Sequence, residues 1–295
     1  MDSKRGGDAG LVTAFKILAR WPLGVLHALG ALLGWLVYLG SPRYRRVFNA
    51  NTALVAPRRL ARWRLRSQAI GQAGRAIFEL PYVWFRPAAV DRVEVRDGHV
   101  IEQACAQGKG VMILTPHLGC FEITAQCCAR WQPLTVLYRP HRKPAIQAVL
   151  EGARQRAGLA TAPTSLLGVR LLLKALKRGE SIGLLPDQVP GVGEGIWADF
   201  FGQAAYTMTL PAKLHQMTGA AMVFVVGERK PWARGWTMHC FAGPAALPDD
   251  LRLATAELNI CLENLIRSFA GQYLWGYDRY KVARGKSVSL RQNTA

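Results

Sequence analysis

The feature that most constrains this chain is a series of short, wholly apolar runs separated by stretches of helical periodicity. GVMILTP (110–116) reads as a fully apolar strand and ESIGLLP (180–186) as another buried one, while PLTVLYR (133–139) and AAMVFVVGER (220–229) read as further strands. VEVRDG (93–98) and WTMHCFAG (236–243) add two more strands. Helical patterns fill residues 99–110, 118–130, 144–157, 166–178, 208–218 and 250–270, whereas the glycine-rich segment 187–205 reads as irregular. Strands alternating with helices predict an α/β fold: a mostly parallel central sheet flanked by helices.

In such a sheet, ligands bind at the carboxyl ends of the strands. His117, Arg139 and Asp187 each fall just after an apolar strand. His117 also begins HLGCFE, which puts Glu122 one turn into the next helix. A neutral imidazole can remove a proton from a hydroxyl, and it then needs a carboxylate to fix its tautomer and stabilise the imidazolium. Gly119 between them allows a tight turn or a close substrate approach. The chain has no G-x-S-x-G elbow, which argues against a serine hydrolase. A His–Glu pair without a protein nucleophile suits direct acyl transfer to a substrate hydroxyl.

Residues 21–40, WPLGVLHALGALLGWLVYLG, hold no Asp, Glu, Lys or Arg. At about 1.5 Å per residue they can span a hydrocarbon core of about 30 Å. Trp21, Trp35 and Tyr38 sit where interfacial anchors would. A monotopic or single-span membrane anchor is the main reading, and a helix buried in a soluble core is the other. Arg43, Arg45 and Arg46 follow at once, which disfavours a cleaved signal peptide.

Eleven basic residues and no acidic one lie between Asp8 and Glu79, and the whole chain carries a formal charge of +19. Arg58, Arg62 and Arg66 share a helix face. A basic stripe beside an apolar anchor reads as a membrane-surface element. A nucleic-acid arm would not need the apolar segment, and no nucleic-acid-binding module is recognisable. The six cysteines include no C-x-x-C pair, so a zinc site is disfavoured and reduced, buried thiols are expected.

HLGCFE resembles the H-x4-D/E motif of glycerolipid-type acyltransferases. The wider chain resembles the late lipid A acyltransferases of Gram-negative bacteria, a branch of the lysophospholipid acyltransferase superfamily. The matching pieces are YRP (138–140), Arg154 and Arg156 in ARQR, LKRGE (176–180), PDQ (186–188), ADFFG (198–202), Thr207 to Pro211, TGA (218–220) and QYLWGYDRYK (272–281). Their order holds over nearly the whole chain. Thr115-Pro116 before the histidine departs from other forms of the motif.

The resemblance implies transfer of an acyl chain from an acyl-carrier-protein (or coenzyme A) thioester to a hydroxyl of a lipid A precursor, with no cofactor or metal. His117 would be the general base and Glu122 its orienting carboxylate. Arg139, Arg154 and Arg156 would bind phosphate or the developing oxyanion. Asp187, grouped with them as substrate-binding, would position an arginine or cap its loop. Arg279 and Lys281 are phosphate contacts or solvated surface. The implied partners are the donor, a phosphorylated glycolipid acceptor and the anionic cytoplasmic face of the inner membrane. A lysophospholipid, a phosphatidylinositol mannoside or an aminolipid is an alternative acceptor, and an inactive membrane-associated binding protein is the alternative class. The expected organisation is an anchor over 1–41, basic membrane-surface helices over 42–90, the acyltransferase domain over 91–285 and a flexible tail over 286–295.

Overall fold

A computed structural model describes residues 10, 12–140, 147, 149–150 and 156–281. Nine helices of the described residues are used below. They are α1 (Leu23–Gly40), α2 (Pro42–Val55), α3 (Arg59–Phe78), α4 (Leu80–Phe85), α5 (His99–Ala106), α6 (Phe121–Cys128), α7 (Leu166–Lys177), α8 (Leu210–Thr218) and α9 (Leu251–Ser268). The strands are β1 (Val93–Arg96), β2 (Val111–Leu114), β3 (Leu134–Tyr138), β4 (Leu159–Pro163), β5 (Ser181–Leu184), β6 (Gly195–Phe200), β7 (Gln203–Met208), β8 (Ala221–Arg229) and β9 (Trp236–Ala242).

The central sheet has seven strands in the order β1-β9-β8-β2-β5-β3-β4. All neighbours are parallel except the β8–β9 pair, so the sheet is mostly parallel as predicted. The uniform apolarity of β2 has a direct cause. Met112 and Leu114 pack into one core cluster, with Leu172 and Leu176 of α7 and Leu258 and Leu262 of α9. Val111 and Ile113 pack into the other, with Ile101 of α5 and Ile123 of α6. Both faces are covered, so neither face needs polar residues.

Three features differ from the sequence reading. The segment 187–205 is not all irregular, because β6 and β7 form an antiparallel ribbon outside the main sheet. β4 was not foreseen, since LATAP lacks a continuous apolar run and only one of its residues, Ala162, is fully buried at this sheet edge. Most of the helix expected over 144–157 lies outside the described residues. The helix after β2 starts at Phe121 rather than 118, because Leu118 and Gly119 are held in isolated bridges to Tyr273 and Gly227.

α1 is a packed part of the molecule. Gly30 and Gly34 face Gly74 of α3, and a Cβ on any of the three would overlap the partner backbone. Leu23 and Leu26 are buried in the core. The opposite stripe, Val25, Leu29, Leu32, Leu36 and Leu39, is exposed. Their spacing of three and four residues makes a continuous apolar face. By length and composition α1 is able to cross a membrane. Part of the predicted basic stripe is used internally: Arg62 donates to the carbonyls of Ala56 and Pro57, and Arg66 to Thr52 Oγ1 and the Asn49 carbonyl.

Candidate active site

His117 leaves the carboxyl end of β2 and meets Asp187, which lies three residues past β5, the neighbouring strand. The parallel pairing of β2 and β5 aligns their ends, which brings together residues 70 apart in sequence. His117 Nδ1 lies 2.7 Å from Asp187 Oδ1, and the His117 backbone N–H donates to Oδ2 at 3.0 Å. The Tyr273 hydroxyl donates to the same Oδ2 at 3.1 Å. Asp187 is buried, whereas the His117 side chain is 19% exposed. The Phe121 ring lies 5.0 Å from the imidazole, centroid to centroid.

Burial by itself would push the Asp187 carboxyl up. The charge of His117, its two hydrogen bonds and the Tyr273 hydroxyl outweigh this and hold the pKa below the ordinary carboxylate value. Burial and the nearby Asp187 charge push the Tyr273 phenol well up. A carboxylate accepts only, so Nδ1 carries a proton, and in the neutral ring the lone pair falls on Nε2. The position of Asp187 corrects the expectation for it. Both of its oxygens are bonded to His117 and Tyr273, and no hydrogen bond joins it to an arginine among the described residues.

Glu122 sits in the first turn of α6, where its Oε2 accepts a hydrogen bond from Trp84 Nε1 at 3.0 Å. The carboxylate on His117 Nδ1 is thus Asp187, not the Glu122 expected from the motif. Arg156 Nη2 donates to the carbonyls of Val83 and Trp84, at 3.1 and 2.8 Å, and so ties α4 to the start of β4. Burial lowers its pKa. Arg139 is exposed just after β3. Arg154 lies outside the described residues. Arg279 is buried and donates to the Tyr206 carbonyl and Thr207 Oγ1, so it is not solvated surface. Among the described residues, no three His, Cys, Asp or Glu side chains are placed to hold a metal ion.

The turn after His117 is fixed from several sides. Gly119 has φ +57°, and a Cβ there would overlap the Gly227 carbonyl, so its glycine serves backbone contact rather than substrate approach. Gly119 N donates to the Gln272 carbonyl, Cys120 N to Gly227, and Leu274 N to the His117 carbonyl. The Gly119 carbonyl accepts from Arg229 Nη2 at 2.6 Å.

Arg229 in turn pairs with Glu79, whose Oε1 it meets at 2.6 and 2.9 Å. The other oxygen, Oε2, accepts from Trp236 Nε1 and His27 Nε2, both at 3.1 Å. Burial raises the Glu79 pKa, yet Arg229 and His27 lower it further, to about 2. His27 is the plainly polar residue of the apolar segment, and it points inward to this carboxylate. Sequence reasoning missed Arg229 and Glu79. The one available signal was that Glu79 is the first acidic residue after Asp8.

A histidine held by a carboxylate at the strand ends of an α/β sheet, beside an outward apolar helix, suits chemistry on a lipid at a membrane surface. The sequence pattern described as "Bacterial lipid A biosynthesis acyltransferase" matches residues 7–282, and the chain belongs to that family. It is therefore an acyltransferase. Similar proteins include the lipid A biosynthesis palmitoleoyltransferase of Escherichia coli, 28% identical over 266 residues, which span 88% of this chain and 86% of that one. The lipid A biosynthesis lauroyltransferase of the same organism is 26% identical over 275 residues, 90% of this chain and 88% of that one. A lipid A biosynthesis acyltransferase of Haemophilus influenzae is 27% identical over 179 residues, 59% and 55% of the two chains.

Proposed function

We propose that this chain moves a fatty acyl group from an acyl-carrier-protein or coenzyme A thioester to a hydroxyl of a phosphorylated lipid A precursor. His117 acts as general base. The observation that carries this reading is the 2.7 Å contact between Asp187 and His117 Nδ1, which leaves Nε2 as a base at the carboxyl end of β2.

Nε2 removes the acceptor hydroxyl proton as the oxygen attacks the thioester carbonyl. The tetrahedral intermediate collapses to the new ester and expels the thiolate, which takes the proton back from His117. Asp187 holds the tautomer and stabilises the imidazolium. Glu122, held by Trp84 of α4 in the first turn of α6, adds a second negative charge near the same strand end. Arg139 and Arg154 serve phosphate or oxyanion binding, and Arg156 shapes the site by holding the Trp84 carbonyl.

The +19 charge supports an acidic carrier protein as donor and an anionic leaflet as platform. The exposed stripe of α1 supports attachment to the cytoplasmic face of the inner membrane. The test supplies the purified full chain with acyl-carrier-protein thioester and, separately, a lipid A precursor or a lysophospholipid. Mass spectrometry is expected to show the glycolipid gaining one acyl mass. Acylation of the lysophospholipid alone would replace the acceptor assignment, and no transfer by wild-type protein to either would overturn it.

A further inference from the structure

A cleft of about 740 Å³ lies between α1, α3, the end of β8 and residues 268–272, and its lining residues Arg229 and Gln272 bond to Gly119 in the turn after His117. One wall is a stripe of α3 at helical spacing: Gln68, Gln72 and Arg75. Lys230, Trp232 and Phe269 line the other side.

The cleft has an excess of donors over acceptors. Arg229, on its floor, is neutralised by Glu79. Lys230 reaches Glu94, and the Glu228 carboxylate is turned to His239. Arg75 has no carboxylate partner among the described residues. Its one side-chain hydrogen bond there is a long contact of 3.4 Å from Nε to the His27 carbonyl, which leaves the guanidinium fork open. Gln68 makes no side-chain hydrogen bond among the described residues and opens on the same space. A half-buried guanidinium without a carboxylate partner, two helical turns from a carboxamide on the same cleft wall, favours a multivalent oxyanion that spans them.

A second observation concerns the rim. Trp232 and Ala233 both hold left-handed backbone, with φ of 58° and 54°, although neither is glycine. Such conformations are costly and cluster where a segment has a task. Here the strained turn lifts Trp232 to 92% exposure while Ala233 rests against Gly24 of α1. Trp21, just before α1, is also exposed. Two indoles beside the start of an apolar helix mark the depth of a membrane interface.

We infer that this cleft binds a phosphate-bearing lipid headgroup, with Arg75 and Gln68 as its phosphate contacts and Trp232 at the membrane interface. Acyl chains would leave along the exposed stripe of α1. The site is separate from His117, and the inference takes from the proposed function only the expectation that a phosphorylated lipid is at hand.

The test titrates the full-length protein, in non-ionic detergent, with a fluorescent short-chain phosphatidic acid and follows anisotropy. Saturable binding is expected, and a phosphatidylcholine probe of the same chain length should not saturate. Arg75→Gln should weaken the phosphatidic acid by about tenfold or more, the scale of a lost charge-assisted hydrogen bond. Gln68→Ala removes no intramolecular bond and should weaken it several-fold. Arg178→Gln, at the opposite end of the sheet, should leave it unchanged. Equal affinity in wild type and both cleft variants overturns the site, and so does equal weakening by Arg178→Gln. Excess inorganic phosphate separates the sources: weak competition is expected, and displacement at matched concentration would make this a soluble-phosphate site and overturn the lipid assignment. His117→Ala should bind the probe as wild type does, so failure of the site and failure of the proposed chemistry read out separately.

Discussion

Asp187 Oδ1 lies 2.7 Å from Nδ1 of His117, and its second oxygen takes the His117 backbone N–H. One buried carboxylate thus fixes both the ring and the main chain of the residue proposed as general base. Asp187→Asn keeps the size but presents an amide to Nδ1, which no longer selects the same tautomer. Turnover is expected to fall by about 100-fold or more, with binding of the acyl donor little changed. His117→Ala should lose at least as much, and the double variant should be no worse than the poorer single one, because the pair acts as a unit. Wild-type turnover in Asp187→Asn would remove Asp187 from the mechanism.

Tyr273→Phe removes the third bond to Asp187. The hydroxyl helps hold the carboxyl pKa down, so its loss should let Asp187 protonate at higher pH. The acid limb of the kcat profile is expected to move upward in pH, with smaller loss at neutral pH. An unchanged acid limb would show that Asp187 does not control it.

Glu122→Gln retains an acceptor for Trp84 Nε1 but loses the charge. It is expected to lower kcat by about tenfold or more while leaving the melting temperature unchanged. Trp84→Phe removes the donor and frees the Glu122 side chain, so it should reproduce part of that loss. Full activity in Glu122→Gln would confine that residue to structure.

Glu79 falls from an ordinary 4.5 to about 2 in the folded chain. Its contribution to stability is complete above the unfolded value and is lost as pH drops from about 4.5 towards 2. That difference corresponds to about 3 kcal/mol. Glu79→Gln should therefore flatten the acid branch of a stability curve. It should also destabilise the protein at neutral pH by about 3–5 kcal/mol, since Arg229 is left buried without its partner. A variant whose acid branch is as steep as wild type would contradict this.

Gly74 on α3 meets the Gly30 carbonyl so closely that a side chain displaces α1. Gly74→Leu is expected to separate the helices, cost about 1–3 kcal/mol or more, and break the His27–Glu79 bond. Removal of residues 1–41 should likewise destabilise the remainder, because Leu23, Leu26 and His27 leave the core with it. Limited proteolysis within α3 reads both effects.

By itself the sequence determined the layers of the fold and the placing of His117 at the end of a buried strand. Runs such as VMIL and SIGL are apolar at every position because they are covered on both faces, and that signature is local. The H-x4-E spacing and the ordered pieces from YRP to QYLWGYDRYK made the family legible. The apolar character of residues 21–40 was equally plain, as was its one histidine.

Tertiary structure alone decided what each polar residue faces. Asp187 holds His117 because β2 and β5 are parallel neighbours, a register that no local pattern encodes. The ribbon of β6 and β7 was hidden by its glycines, and β4 by its exposed edge. Nothing local to Arg229 or Arg279 in the sequence names their partners, yet both are buried against groups far along the chain. Charge and periodicity are properties of neighbours in sequence. A buried hydrogen bond is a property of neighbours in space, and only the packed sheet supplies them.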